Sequence, residues 1–185
     1  MLLNNLKNLI KIIAFLGLIS SCSSIVINDN MNKNNILDDI KSVDSNYDSL
    51  NTLLYVDIES QSLLHIKKGT VLKVYNISSS AYGTGSKVNS FKTPLGKHEI
   101  YKKLGSNLPA NAILKGRVWN GAIADIIKEP IDTDFDHVTS RIMWLDGLEE
   151  GLNKGEGIDS RERFIYIHGT AEEGLIGKPA SDGCI

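Results

Sequence analysis

Between Leu53 and Ile77 three short runs of strand-forming residues follow one another, separated only by polar or glycine turns. Leu53-Leu54-Tyr55-Val56-Asp57-Ile58 is the first. Glu59-Ser60-Gln61 turns the chain into Ser62 to Lys67, where Leu64 and Ile66 alternate with His65 and Lys67. Gly69-Thr70 turns it again into Val71 to Ile77. Period-two alternation at this spacing, with no helical stripe between the runs, predicts an antiparallel β meander. Further strands are expected from His98-Glu99-Ile100-Tyr101, from Arg141 to Leu145 and from Phe164 to Ile167. Trp119-Asn120-Gly121 reads as a turn, and Ala122 to Lys128 as a short helix or a strand. Thr93-Pro94-Leu95-Gly96 is a tight turn, because Pro fixes φ and Gly accepts a positive one. The fold class is mainly β.

A chain of 185 residues has the length of one domain with a real core. Its net charge of −2 leaves no basic footprint for nucleic acid. Residues 1–22 read as an export signal: Lys7 and Lys11 form the positive region, and Leu9 to Ile19 an apolar core too short to span a bilayer. That core ends in Ile19-Ser20-Ser21-Cys22, which resembles the lipobox of bacterial lipoproteins and implies a diacylated Cys22 at the mature N-terminus. Residues 23–51, rich in Ser, Asn, Asp and Lys, read as a flexible polar tether with at most a marginal helix near Asn35 to Val43. The folded domain is expected over residues 52–185.

The chemistry concentrates at the C-terminal end. His168 follows the apolar run Phe164-Ile165-Tyr166-Ile167, and 16 residues later Cys184 sits in a glycine-containing turn. If Cys22 carries lipid, Cys184 has no disulfide partner, and an unpaired thiol in an exported protein tends to be kept for its reactivity. A thiol needs a base to become a nucleophile, and a histidine titrating near neutrality supplies one. Backbone N–H groups around Gly183 and Cys184 would receive the oxygen of a tetrahedral intermediate. Other chemistries fit less well. Tyr82-Gly83-Thr84-Gly85 fails the phosphate-loop spacing. Asp132, Asp134, Asp136 and His137 fail the calcium-loop template, since His137 stands where Gly and Met143 where Glu are required. His168, Cys184 and Asp182 lack a fourth ligand for zinc. Gly147 to Arg163 reads as a charged, glycine-rich surface insertion near the site.

Thr93-Pro94-Leu95-Gly96-Lys97-His98, His168-Gly169-Thr170, Ile176-Gly177 and Pro179-Ala180-Ser181-Asp182-Gly183-Cys184-Ile185 together resemble the L,D-transpeptidase catalytic domain family. These bacterial envelope enzymes cross-link peptidoglycan, or attach proteins to it, through an acyl-cysteine intermediate. The resemblance covers Thr52 to Ile185 and implies a mostly antiparallel β-sandwich or barrel-like domain with few helices. It implies Cys184 as nucleophile, His168 as general base and acid, and the Gly169 carbonyl as the group orienting His168. Asp182, Gly183 and Cys184 would lend oxyanion-hole N–H groups, and Ser181 would shape the turn. It also implies peptidoglycan stem peptides as substrate, with a stem peptide, a protein or water as acceptor, no metal and no cofactor. The location would be periplasmic, lipid-anchored to a membrane. Two departures stand out. Asp182 occupies a position often held by His, and Ile185 ends the chain where the family continues with Arg and a further strand, so a partial sequence is expected. The other reading is a non-catalytic lipoprotein that binds stem peptides in a degenerate site.

Overall fold

Residues 9–13, 37, 38, 40, 41, 47 and 50–185 are described by a computed structural model of the chain. Their strands are β1 (Leu9–Ile13), β2 (Leu53–Asp57), β3 (Ser62–Lys67), β4 (Thr70–Asn76), β5 (Gly96–Leu104), β6 (Ala112–Lys115), β7 (Val118–Ile123), β8 (Thr139–Gly147) and β9 (Tyr166–Gly169). The sheet runs in the order β4-β3-β2-β1-β5-β8-β6-β7, with β9 on β8. The meander expected from Leu53 to Ile77 is β2, β3 and β4, paired antiparallel with Leu53 opposite Ile66 and Leu63 opposite Tyr75. The domain is mainly β and built of antiparallel ladders, as its turn-punctuated alternation requires.

The backbone of Leu9–Ile13 lies between β2 and β5, parallel to the first and antiparallel to the second. The rest of the stretch read as a leader, Cys22 included, lies outside the described residues. Part of the stretch read as a flexible tether is packed. Ile40 is fully buried, and Leu37, Ile40, Tyr47 and Leu50 cover Leu53, Tyr55, Leu64 and Ile66 on one side of the meander. These few apolar side chains, scattered among polar ones, meet a hydrophobic face that would otherwise be open to water. Composition averages over the segment conceal that.

One other sequence expectation changes, and a second gains detail. The turn between Leu114 and Trp119 is Gly116-Arg117, and Trp119-Asn120-Gly121 lies inside β7. A two-residue hairpin loop with positive φ at both central positions supplies the reversal, so the second turn signal is absorbed into a bulged strand. The 147–163 segment lies at the surface, with Gly151, Leu152 and Glu156 exposed, but it is anchored from beneath. Asn153 is buried and donates to the carbonyls of Leu95 and Lys97, while its own side-chain oxygen accepts from the Glu149 N–H at 2.9 Å. Ser160, also buried, meets His98. An amide side chain with three backbone partners ties the segment to the Thr93–Lys97 turn.

Side-chain alternation divides the β8–β9 ladder into two faces. Leu145, Ile165 and Ile185 join Val56, Leu63 and Ile77 in an aliphatic core. Ile142, Trp144, Tyr166 and Cys184 lie on the opposite face, with Leu114 of β6 packed over them.

Candidate active site

β9 carries the histidine. His168 pairs with Ile142 and Tyr166 with Trp144 across the β8–β9 ladder. The strand begins at Tyr166, two residues later than alternation predicts, because Phe164 adopts a left-handed backbone (φ 59°) that breaks the run. The chain after Gly183 then comes alongside. Ile185 N–H donates to Tyr166 O and His168 N–H donates to Ile185 O, both at 2.9 Å. This is a parallel bridge, so Cys184 lies level with Tyr166 on the face that Tyr166 and His168 share.

The turn that presents Cys184 is buttressed from a distance. Ser181 and Ala180 donate their N–H groups to Ser79 O, and the Ser181 hydroxyl donates to Cys184 O at 2.7 Å. Thr93 is fully buried. Its hydroxyl donates to Gly183 O at 3.1 Å and accepts from Ser80 N–H at 3.0 Å. Gly183 has φ 117°, and a Cβ there would stand 3.3 Å from Phe91 O. Both conformation and clearance therefore call for glycine. Ser79, Ser80 and Thr93, on either side of the stretch rejected for phosphate binding, thus work as a brace. Thr93 heads one of the motifs that carry the resemblance, whereas Ser80 has no signal in the sequence beyond being a small hydroxyl residue.

The expected groups come together, with one contact missing. His168 Nδ1 is 2.8 Å from Gly169 O. The carbonyl can only accept, so Nδ1 carries the proton and Nε2 is left with a lone pair. Cys184 Sγ does not bond the imidazole. It accepts from Tyr166 N–H at 3.4 Å and its thiol donates to Phe164 O at 3.6 Å. Close packing pushes the thiol up to about 12, opposed by the Tyr166 N–H and by Arg163, and reinforced by the charges of Asp136 and Asp182. The resting group is a neutral thiol. Packing also lowers His168, against the pull of the Gly169 carbonyl and of Asp136. Both directions favour an uncharged thiol and imidazole over an ion pair.

Of the expected oxyanion donors, Gly183 N–H is directed at Ser181 Oγ, 3.3 Å away. The N–H groups of Asp182 and Cys184 meet no acceptor among the described residues. Asp182 itself is exposed. Three residues were missed by sequence reasoning. Arg163 is the cation that acts on the thiol; it donates to Lys92 O at 2.7 Å and to Gly85 O at 3.3 Å. Asp136, set aside with the failed calcium loop, faces His168 electrostatically, and its carboxyl is raised by burial. Tyr166 supplies the backbone donor to sulfur. A cavity of about 680 Å³ opens beside these groups, with His168, Cys184, Asp136 and Ser181 on its polar side and Leu54, Leu63 and Ile77 on its apolar side. Among the described residues no three His, Cys, Asp or Glu side chains are grouped to hold a metal, and no helix is long and apolar enough to cross a membrane.

A β domain with an unpaired cysteine and a histidine on one sheet face, backbone donors beside the sulfur and a cleft alongside has the parts of a cysteine acyl-transfer site. The family description of the L,D-transpeptidase catalytic domain, YkuD, matches residues 51–185. The chain belongs to that family, whose activity is L,D-transpeptidase-type peptidoglycan cross-linking at the cell wall. No curated protein and no solved structure matches the chain.

Proposed function

We propose that this chain is an envelope lipoprotein that transfers acyl groups between peptidoglycan stem peptides through Cys184. The observation that carries the reading is the shared face of Cys184 and His168, with the lone pair of Nε2 left free by the Nδ1 contact to Gly169 O. The thiol rotates away from Phe164 O and loses its proton to Nε2 as Sγ attacks the carbonyl carbon of the L-to-D peptide bond. The negative oxygen is received by the N–H groups of Cys184 and Asp182. Collapse breaks the C–N bond, and the imidazolium returns the proton to the leaving amine. A thioester remains. An acceptor amine then attacks the thioester carbon, gives a proton to Nε2, and expels the thiolate, which is reprotonated. Water as acceptor gives a carboxypeptidase instead. No metal or organic cofactor takes part in these steps. In this reading Cys22 carries the lipid and becomes the mature N-terminus, so β1 belongs to the precursor alone, and the chain acts on the periplasmic side of a membrane.

A second reading, a stem-peptide tether without turnover, is favoured by the bond of the thiol to Phe164 O and by its high pKa. One experiment separates the two. The full chain is incubated with a synthetic stem tetrapeptide and examined by mass spectrometry. The enzyme gains the mass of the tripeptide acyl group while free D-amino acid appears, and Cys184→Ala gains nothing. Binding with no mass gain leaves the tether.

A further inference from the structure

Arg117 stands at the second central position of the β6–β7 turn with φ 70°, after Gly116 at φ 58°. Glycine takes that conformation freely, whereas a residue with a Cβ is strained in it. Its guanidinium carbon lies 4.6 Å from the ring centre of Trp144 and 4.9 Å from that of Phe164, and Nη1 donates to Tyr166 Oη at 3.2 Å. Phe164 is itself left-handed, at φ 59°. The cation and one of the rings that hold it are therefore both strained, and strain held in this way gathers where function fixes the geometry. The two rings hold the guanidinium by cation–π contact without using its N–H groups.

Among the described residues Arg117 has no carboxylate partner, whereas Arg161 reaches Asp146 at 3.4 Å. An arginine has five N–H donors, and here one goes to a phenol that pairs with it weakly. The same Tyr166 donates its backbone N–H to Cys184 Sγ and lies level with it. The unpaired cation is thus one side chain away from the thiol. The His168 side of the pair is opposite in sign, with Asp136 and Asp182. An anionic group is repelled on that side and attracted on the other.

We propose that Arg117, steadied by Trp144, Phe164 and Tyr166, is a subsite for the terminal carboxylate of the donor stem peptide. This rests on the reading of Cys184 as the group that a stem peptide acylates; Arg117 stands on the Tyr166 side of the sulfur, outside the cleft lined by Leu63 and Ile77. That carboxylate belongs to the residue on the far side of the scissile bond, one residue from the carbonyl that Sγ attacks. A guanidinium edge matches a carboxylate in a two-point, charge-assisted contact.

The test measures binding without turnover. Full-length Cys184→Ala is titrated calorimetrically with a stem tetrapeptide bearing a free terminal carboxylate, and with the same peptide as its terminal carboxamide. The acid binds about tenfold tighter than the amide, the size of one charge-assisted contact. Adding Arg117→Gln abolishes that preference, and Arg117→Lys keeps most of it. If Arg117→Gln weakens acid and amide alike, or leaves the preference intact, Arg117 is only a latch for the hairpin and the subsite is overturned. Melting temperatures report the latch separately. Acylation of the wild-type chain is followed by mass in parallel. Acylation with a preference indifferent to Arg117 overturns the subsite and leaves the transpeptidase reading standing. Acid-selective binding with no acylation does the reverse, and no binding of either peptide overturns both.

Discussion

The two faces of the β8–β9 ladder are made from alternate residues of the same strands, yet they do different work. On one, Leu145, Ile165 and Ile185 close an aliphatic core with no polar atom to satisfy. On the other, Trp144, Tyr166, His168 and Cys184 lie among an arginine, backbone donors and carboxylates, and three groups there have pKa values moved by packing. The first face is fixed by hydrophobic transfer, which is indifferent to direction. The second depends on which atom donates to which, and its members are placed by braces from Ser80 and Thr93 far along the chain. The contrast shows stability and chemistry separated by a single residue step.

Substitutions on the two faces therefore have opposite signatures. The largest effect is Cys184→Ala, which removes acylation altogether while the denaturant midpoint changes little; a large loss of stability would show that the sulfur is a packing group. Next is Leu145→Ala on the aliphatic face, which lowers unfolding free energy by about 2–5 kcal/mol in urea titrations and leaves the acylation rate of the folded fraction near wild type. Equal loss of rate would break the separation of the faces.

His98 gives a pH signature belonging to neither face. It is fully buried, its Nδ1 donates to Gly96 O and its Nε2 accepts from Ser160 Oγ, and burial lowers its pKa to about 4. Above pH 6.5 it is neutral folded and unfolded, and the contacts stand at full strength. As pH falls from 6.5 toward 4 the unfolded chain takes up a proton that the folded chain refuses, so stability is lost across that window. The loss at pH 4 is about 3 kcal/mol. Thermal melts from pH 7 to 4 check it, and His98→Gln flattens that slope.

Smaller effects test the braces. Thr93→Val removes a buried hydroxyl with two partners and costs about 1–2 kcal/mol. It slows acylation more than that loss of folded protein explains, because Gly183 O loses its hold. Arg163→Gln takes away the cation acting on the thiol, so alkylation by iodoacetamide at pH 8 slows a few-fold with the melting point near wild type. A rate unchanged in either variant would cut that residue from the site.

The meander was legible because Leu64 and Ile66 alternate with His65 and Lys67 between evident turns, a signal carried within a dozen residues. The stretch bearing His168 and Cys184 was legible from residue types in a small window. Less legible were features that only distant pairing creates. Nothing near Arg117 announces Trp144, Phe164 and Tyr166, since their meeting needs a hairpin folded over another ladder and two left-handed residues. Asn153 and Ser160 look like solvated loop residues until the fold brings the Leu95 and Lys97 carbonyls to the first and the His98 ring to the second. Trp119-Asn120-Gly121 misled because turn composition within a bulged strand resembles a turn. The direction of Sγ depends on a rotamer, which composition does not encode.

The bridge of Ile185 to β9 has a consequence for anyone altering the final loop. Successive positions there point to opposite sides, so register works as a parity bit. A slip of Cys184-Ile185 by one residue along β9 would turn the sulfur into the oily interior and push an isoleucine out among the charges, whereas a slip of two would restore its heading. Variants of the final loop are best judged by whether Ile185 keeps its two bonds to β9.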